Sequence, residues 1–384
     1  MTSPRTGLVL TGGGARAAYQ VGALRALHEQ LGADFRFDVL VGASAGAINS
    51  TTLASHADDF GAGVAQLQTT WGKLTPDQVY RTDVGSLLSI GSRWMRQIGA
   101  GGMLGSSAAN ALLDTEPLAK LLGELLPTAR IGEHVRAGRL HGAAVTATSY
   151  HSGSAMTFYD GASELRPWSR STRLGVRAQL TLQHVLASSA IPVFFPPVAI
   201  EGRWFGDGCV RLNAPLSPAI HLGAQRILAI GIRYARTPAE TDALNRLSQH
   251  PAPTVSEIGG VLLNAIFLDS LEADVERLLR INGTLSLLTA EQHGRLHSPL
   301  HRIPLLLLRP SRDLGRIAIE QYQRFPKMLR FLLRGIGATG DSGWDLVSYL
   351  AFEPGYIAKL IELGYEDTRA RRDDVDAFFG DSRS

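Results

Sequence analysis

Residues 37–46 read Phe37-Asp38-Val39-Leu40-Val41-Gly42-Ala43-Ser44-Ala45-Gly46, and this stretch decides the fold. Its apolar first half predicts a buried strand, and the small residues that follow predict a helix over about residues 47–57. Gly42 and Gly46 stand two residues either side of Ser44, in the pattern G-x-S-x-G. Such a turn projects its serine from the end of a strand, because the glycines permit a strained backbone and a close approach of strand and helix. We therefore predict Ser44 as a nucleophile.

A second strand-loop-helix unit precedes this one. Residues 7–10 predict a short buried strand, three consecutive glycines a tight loop, and residues 15–31 a helix with apolar positions at helical spacing. Two such units in succession predict a parallel sheet covered by helices. Successive glycine amides at a helix start favour negative charge, and acyl transfer needs donors of this kind for its oxyanion. The glycines that supply these amides are Gly12, Gly13 and Gly14.

The glycine loop also partly matches a dinucleotide-binding fingerprint, as Gly12-x-Gly14-x-x-Ala17. A nucleotide fold would end its next strand in an acidic residue for the ribose, whereas this strand ends in the serine turn. Asp38 precedes the apolar run of that strand and so stands at the wrong end. A phosphate-binding P-loop is excluded, because no Gly-Lys-Ser/Thr follows the glycines.

The serine needs a base, and the eleven histidines are scattered with none in a motif-like setting. His184 and His221 are each interpreted as ordinary surface or helix residues. An aspartate can serve if it is buried, held by hydrogen bonds and within reach of the hydroxyl. Asp207 in Phe205-Gly206-Asp207-Gly208-Cys209 is the candidate. From spacing alone, a plain Asp-Gly hairpin turn remains an equal alternative.

Four blocks of the sequence, taken in order, resemble the patatin-like phospholipases over about residues 7–232. The resemblance implies an α/β/α sandwich in three layers around a mostly parallel central sheet, with a Ser-Asp dyad in place of a triad. The blocks are Gly13-Gly14-Ala15-Arg16, then Gly42-Ala43-Ser44-Ala45-Gly46, then Ala187-Ser188-Ser189-Ala190-Ile191-Pro192-Val193-Phe194-Phe195-Pro196-Pro197, and finally Asp207-Gly208 followed by Asn213-Ala214-Pro215-Leu216.

Roles for individual residues follow from the resemblance. It implies that Ser44 is the nucleophile and Asp207 the base that takes its proton. It implies that Arg16 braces the glycine loop or approaches a phosphate, and that the block around Pro192 supports the wall near the dyad. The implied oxyanion donors are the amides of Gly12, Gly13, Gly14 and Ala45, and the implied supporting residues, besides Arg16, are Gly42, Gly46 and Gly208.

The chain departs from the family pattern at two positions. Ala17 stands where the last glycine of the loop is usual, and alanine can adopt the geometry of a first helical turn. Cys209 stands where the aspartate motif usually has Gly or Ala. We expect Cys209 to serve in packing, with a redox role as the alternative hypothesis.

Composition limits the other function classes. The 384 residues carry a formal net charge of +3, which is mildly basic and not the footprint of a nucleic-acid-binding protein. A single cysteine excludes an intrachain disulfide and any multi-cysteine metal site. We expect no metal and no cofactor. The N-terminus runs into the first strand without a signal-peptide pattern, so we expect a cytoplasmic protein whose membrane contact, if any, is peripheral.

We predict a catalytic domain over residues 1–235 and a mainly helical region over 236–384 that packs on it. The second region is predicted to begin with a polar linker and a long helix over about 255–281. Residues 87–104 mix apolar side chains and Trp94 with arginines. They are interpreted as an interfacial segment or as a helix packed over the active site, and either could act as a lid.

The function expected from the resemblance is that of a lipid acyl hydrolase, a phospholipase A or lysophospholipase, acting through an acyl-serine intermediate. Its partner would be a lipid or another acyl ester. Two alternatives remain open at this point. One is a carboxylesterase or thioesterase acting on soluble acyl esters, and the other is a non-catalytic lipid- or protein-binding relative. The oligomeric state is not predicted from the sequence.

Overall fold

A computed structural model describes residues 4–81, 111–246, 252–295, 300–324 and 343–380, together with residues 330, 334 and 337. The predicted lid or membrane segment at 87–104 lies outside the described residues. Ten strands occur in the described part of the chain. They are β1 (Thr6–Leu10), β2 (Val39–Ala43), β3 (Gly142–Ser149), β4 (Ala155–Gly161), β5 (Trp168–Arg170), β6 (Arg173–Arg177), β7 (Val198–Ile200), β8 (Arg203–Asp207), β9 (Arg226–Ile230) and β10 (Leu305–Leu308).

Helices connect and cover these strands, and short 3-10 turns occur at Gly14–Ala17, Gly208–Val210 and Tyr322–Arg324. The α-helices of the described residues are α1 (Ala18–Leu31), α2 (Ala45–Ala54), α3 (Phe60–Lys73), α4 (Pro76–Val79), α5 (Glu116–Leu125), α6 (Ala129–Arg136), α7 (Leu182–Ser188), α8 (Ser217–His221), α9 (Pro238–Asn245), α10 (Val255–Phe267), α11 (Asp269–Ser286), α12 (Ala290–Gly294), α13 (Leu314–Ile319), α14 (Trp344–Leu350), α15 (Pro354–Ala370) and α16 (Arg372–Gly380).

The strands form one sheet in the order β10-β9-β1-β2-β3-β4-β6-β5, and β8 pairs with both β3 and β7. The five strands from β10 to β3 are mutually parallel, whereas β4 and β8 run antiparallel to β3. Parallel strands buried on both faces read as continuous apolar runs, which is the pattern of Leu8–Leu10 and Val39–Val41. The prediction of a mostly parallel central sheet is confirmed.

Side chains that alternate along these strands feed two separate cores. Leu8 and Leu10 pack with α1 and α2 on one face, and Val9 and Val41 pack with α8 and α11 on the other. Successive residues of a strand point to opposite faces, so helices on both sides are needed to bury such a run. The result is the predicted three-layer α/β/α sandwich.

The second half of the chain contributes to both the sheet and its cover. Strand β10 adds to the edge of the sheet beside β9, with Leu306 opposite Leu228. The predicted single helix over 255–281 is wrong, because the structure divides it at Leu268 into α10 and α11. Acidic Asp269 and Glu272 in the first turn of α11 favour a new helix N-terminus there. The domain boundary at residue 235 stays a prediction. Among the described helices, none has the length and hydropathy needed to cross a membrane.

Helices α1 and α15 pack backbone to backbone through a pair of glycines. A Cβ at Gly22 of α1 would lie 1.8 Å from the carbonyl oxygen of Ile361, and one at Gly364 of α15 would lie 2.0 Å from that of Tyr19. These distances are far below van der Waals contact, so any side chain at either position separates the helices. The packing of α1 against α15 therefore requires glycine, which has no Cβ, at both positions.

We expect Gly22→Ala to destabilise the protein by about 1 to 3 kcal/mol, because the added methyl overpacks this joint. The matched control is Gly72→Ala in α3, where a Cβ meets nothing within 4 Å. There alanine should stabilise by up to about 1 kcal/mol through its helix propensity. Urea unfolding of both variants measures the difference. Equal effects of the two substitutions would contradict the packing argument.

Candidate active site

The register of strand β3 brings Ser44 and Asp207 together. Strand β2 pairs with the first part of β3 and ends with Ala43 opposite Thr146. Strand β8 then pairs with the next residues of β3 from the opposite direction, and its last residue, Asp207, lies opposite Ala147. The end of β2 and the end of β8 therefore meet at neighbouring positions of one strand. Residues 163 apart in sequence become neighbours for this reason.

This placement also decides between the two interpretations of the Asp207 sequence. Strands β7 and β8 form an antiparallel hairpin whose turn is at Glu201 and Gly202, both at positive φ. Asp207 is at the far end of β8, where the chain enters the 3-10 turn Gly208–Val210. The alternative of a plain Asp-Gly hairpin turn is therefore wrong. A Cβ at Gly208 would lie 1.9 Å from the carbonyl oxygen of Thr146, so the residue after the aspartate is glycine for steric reasons.

Ser44 is the only residue of its turn with a strained backbone. Its φ of 55° and ψ of −132° are unusual for a residue with a side chain, and the residue is 1% exposed. The flanking glycines make the turn compact. A Cβ at Gly42 would lie 2.3 Å from the Gly46 carbonyl oxygen, and one at Gly46 would lie 2.2 Å from the Leu10 carbonyl oxygen. The serine thus sits at the N-terminus of α2, where the helix dipole favours negative charge.

Two serines from the apolar block near Pro192 hold the Ser44 backbone. The Ser188 hydroxyl accepts the Ser44 amide at 2.9 Å and donates to the Thr146 carbonyl at 2.6 Å. The Ser189 hydroxyl lies 3.1 Å from the Ser44 carbonyl oxygen. Sequence reasoning assigned this block a supporting role but missed the serines. Their adjacency inside a matching family block was the one available signal.

Asp207 is fully buried and keeps one oxygen open. Its Oδ1 accepts the Cys209 amide at 2.9 Å. Its Oδ2 has no hydrogen bond of ordinary geometry within the described residues, but the Ser44 hydroxyl is near enough to stabilise the carboxylate. Burial raises the pKa of Asp207 to about 7, against the smaller opposing effects of the Ser44 hydroxyl and the Cys209 amide. A carboxylate with a pKa near neutrality and a vacant acceptor position beside a serine is suited to take a proton.

Cys209 fills the space between the aspartate and the glycine loop. A Cβ at Gly12 would lie 2.6 Å from the Cys209 Sγ and 2.4 Å from the Ser44 Cβ, so Gly12 is enclosed by both side chains. The thiol is 8% exposed, and burial together with the charge of Asp207 raises its pKa. Redox chemistry needs a thiolate that is accessible. These contacts favour the packing role over the redox alternative.

The glycine loop presents open amides to the site. Gly13 and Gly14 have φ values of 155° and 55°, conformations that side chains disfavour. Within the described residues, the amides of Gly13, Gly14 and Ala45 donate no hydrogen bond. The Gly12 amide differs, because it interacts with the Cys209 sulfur and favours its thiolate form. Gly14 and Ala45 line the same cavity as Ser44, and Gly13 directly precedes Gly14 in the loop.

Arg16 points away from the serine and into the C-terminal half. Its guanidinium is 2% exposed and contacts Ser348, Asp345 and Tyr349 in α14. Of the two roles that the resemblance implies, these contacts favour the brace of the loop. The partners lie more than 300 residues away in sequence, and nothing in the local sequence indicates them.

A narrow apolar cavity of about 40 Å³ opens beside Ser44. Gly14, Ser44 and Ala45 line it on one side. Its remaining walls are almost entirely aliphatic and aromatic, formed by Ile48, Thr70, Trp71, Leu74, Val79, Leu118, Leu121, Leu122, Ser189, Ile191, Phe195 and Phe352. A larger cavity of about 520 Å³ lies beside Arg16, is lined mainly by charged side chains, and does not include Ser44. Of these two cavities, the apolar one is therefore the cavity that Ser44 lines.

The two histidines lie in ordinary packing positions. His184 accepts the Thr181 amide at 3.1 Å and so caps its own helix, α7. His221 stacks on Trp168 with ring centroids 4.5 Å apart, on the other face of the sheet. Neither ring has a hydrogen bond to Ser44 or Asp207 among the described contacts. Among the described residues, the carboxyl group that interacts with the Ser44 hydroxyl is that of Asp207.

A family model described as patatin-like phospholipase matches residues 8–220 of the chain. No curated protein sequence matches it. Among solved structures, VipD from Legionella pneumophila is similar with 12% identity and a TM-score of 0.36, over 97% of this chain and 67% of that chain. Human GIVD cytosolic phospholipase A2 is similar with 14% identity and a TM-score of 0.42, over 99% of this chain and 59% of that chain. The chain thus spans about three fifths to two thirds of the lengths of these two proteins.

We expect Asp207→Asn to stabilise the protein increasingly as pH rises from about 4 to 7. The raised pKa means that folding disfavours the charged carboxylate, so wild-type stability is lost across this window, between the unfolded and folded pKa values. An amide removes that penalty. Melting temperatures of wild type and variant at a series of pH values measure the effect. A difference that stays constant between pH 4 and 8 would contradict the assigned pKa.

Proposed function

Because the chain belongs to the patatin-like phospholipase family, we propose that it is a lipid acyl hydrolase in which Ser44 is the nucleophile and Asp207 its base. The observation that carries the proposal is the open Oδ2 of Asp207, buried beside a serine on a strained turn. An unpaired buried carboxylate oxygen costs stability, and such costs are concentrated at functional sites. Use of Oδ2 as a proton acceptor would explain why the fold includes this destabilising group.

In the proposed reaction, Oδ2 of Asp207 accepts the hydroxyl proton of Ser44 while Oγ attacks the ester carbonyl carbon. The tetrahedral intermediate then collapses, and the C–O bond to the alcohol breaks. The departing alcohol takes the proton from Asp207, which leaves an acyl-serine. A water molecule, deprotonated by the same carboxylate, then attacks the acyl-serine. The C–O bond to Oγ breaks, Asp207 returns the proton to Oγ, and the fatty acid leaves. In each half of the reaction Asp207, whose pKa is raised to about 7, accepts one proton and then returns it.

The oxyanion of the intermediate is assigned to the amides of Gly13, Gly14 and Ala45. All three are free of other acceptors in the described residues, and Gly14 and Ala45 line the cavity at Ser44. Fixed amide donors stabilise a developing oxyanion without reorganisation. Gly12 has a weaker claim, because its amide already faces the Cys209 sulfur. In this proposal the role of Gly12 is to leave space for the side chains of Ser44 and Cys209.

The lining of the cavity supports a lipid substrate. Its walls offer an acyl chain aliphatic and aromatic contacts and almost no polar groups, which suits the fatty acyl half of a phospholipid or lysophospholipid. Burial of each additional CH₂ contributes about 0.8 kcal/mol. This gives long acyl chains an advantage over short ones. Since such substrates reside in membranes or micelles, we propose that the enzyme meets them by peripheral contact.

We expect a fluorophosphonate probe to label the wild-type protein and to leave Ser44→Ala unlabelled. Hydrolysis of a short-chain ester and of a phospholipid should fall by at least about a thousandfold in both Ser44→Ala and Asp207→Asn, because nucleophile and base act as a unit. Labelling is read by in-gel fluorescence and hydrolysis by fatty-acid release.

The control is Asp313→Asn, which changes an aspartate that pairs with Arg236 away from the serine. A folded wild type that neither labels nor hydrolyses would sink the proposal and favour the binding-protein alternative. Hydrolysis of soluble esters that does not increase when the substrate aggregates would instead favour the esterase or thioesterase alternative.

We expect Leu121→Trp to shorten the acyl chain that the enzyme prefers. Leu121 is partly buried in the cavity wall, so a larger ring occupies space that a long chain needs. The kcat/KM for a palmitate ester should fall by about tenfold or more relative to that for a butyrate ester. Leu287→Trp, at an exposed position outside the cavity, is the matched control. An unchanged ratio in Leu121→Trp would show that acyl chains bind elsewhere.

A further inference from the structure

The side chain of Arg16 is held by helix α14 and by its neighbour α10, where a terminal nitrogen donates to the Asn264 Oδ1 at 3.4 Å. Nε donates to the Ser348 Oγ at 2.8 Å, and the other terminal nitrogen donates to the Asp345 Oδ1 at 2.9 Å and to the Asp345 carbonyl at 3.2 Å. The guanidinium carbon lies 4.2 Å from the centre of the Tyr349 ring. The Tyr349 hydroxyl in turn donates to the Asn264 Oδ1 at 2.9 Å. Each of the three guanidinium nitrogens therefore has a hydrogen-bond partner.

Helix α14 also contacts the backbone of the glycine loop directly. A Cβ at Gly14 would lie 2.1 Å from the carbonyl oxygen of Tyr349. The loop backbone is thus pressed against the end of the helix, and Arg16 fastens it two residues further on. The next residues continue the contact, because the Leu350 carbonyl accepts the Tyr80 hydroxyl at 2.9 Å and Phe352 lines the apolar cavity. Loop and helix form one rigid joint.

We propose that helix α14 positions the glycine loop for catalysis through Arg16, which makes Asp345, Ser348 and Tyr349 positioning residues of the proposed reaction. The inference rests on the proposed function, since the loop supplies the assigned oxyanion donors. Helix α14 lies outside residues 8–220, the part of the chain that the family model matches. In this proposal, the C-terminal half of the chain contributes to catalysis by orienting the amides of the glycine loop.

The physical argument is one of pre-organisation. Oxyanion donors act only when their N–H groups point at the developing charge, and a displacement of about 1 Å can reduce a rate by about a hundredfold. Gly13 and Gly14 lack a Cβ and adopt positive φ values. Their backbone can therefore rotate easily and turn the amides away from the oxyanion. A planar guanidinium with fixed donor directions limits that freedom. Its burial adds rigidity, because an unpaired buried cation is strongly disfavoured.

The test compares Asp345→Asn with Glu272→Gln. Both remove one carboxylate charge paired with an arginine in the wall of the same charged cavity, but Glu272 pairs with Arg309 and not with the loop. We expect Asp345→Asn to lower kcat for a short-chain ester by about 10- to 100-fold with KM unchanged within about twofold, because substrate contacts stay in place. Glu272→Gln should keep the wild-type kcat. Melting temperatures of both variants show whether the fold is intact.

A double-mutant cycle separates positioning from general damage. Arg16→Lys keeps the charge and loses the fork, so it should lower kcat by a similar factor. If Asp345 acts through Arg16, adding Asp345→Asn to Arg16→Lys should reduce kcat no further. Multiplicative losses in the double variant would overturn the proposal. So would a kcat of Asp345→Asn equal to that of Glu272→Gln.

Hydrogen exchange gives a readout that needs no activity. Peptides covering residues 11–18 should exchange faster in Asp345→Asn than in Glu272→Gln, since the loop is released from α14. If the wild type hydrolyses no ester, the proposed function fails while this comparison still tests the link between helix and loop. Equal exchange in the two variants would show that α14 does not order the loop.

Discussion

Close packing of three backbone segments around Ser44 is the constraint on which the site depends. The end of β1, the end of β2 and the start of α2 approach so closely that Gly12, Gly42 and Gly46 have no room for a Cβ. This packing holds the serine at a φ of 55°, which it would not adopt in isolation. The glycine loop lies against the same turn, so nucleophile and amide donors are placed by one set of contacts.

The electrostatics of the cleft follow from the same packing. Water is excluded from Asp207, so its charged form loses hydration, and only one of its oxygens regains a donor from the backbone. The raised pKa of Asp207 lowers the stability of the fold above about pH 4, and it also lets this carboxylate bind a proton near neutral pH. Strain at Ser44 and desolvation at Asp207 are both local departures from ideal structure, and both occur where the chemistry is assigned.

Local sequence predicted the parts of the fold that are local. The strand-turn-helix units around Gly12–Gly14 and Ser44 could be recognised because their glycines and apolar runs are contiguous. Asp207 was ambiguous from spacing, because the register between β3 and β8 decides its place and strand pairing is a tertiary property. The division of the long helix at Leu268, the brace of Ser44 by Ser188 and the partners of Arg16 were not predicted. Each depends on contacts between residues distant in sequence or on a small local change in backbone angles.

The distance in sequence between Arg16 and its partners bears on how the protein is made. Chains emerge from the ribosome N-terminus first, and N-terminal parts begin to fold during synthesis. The loop that carries Gly13 and Gly14 is synthesised more than 300 residues before Asp345, Ser348 and Tyr349. A nascent chain can therefore form the serine turn long before its glycine loop is fastened. In the scheme proposed here, the enzyme cannot become fully active on lipids until helix α14 has been synthesised.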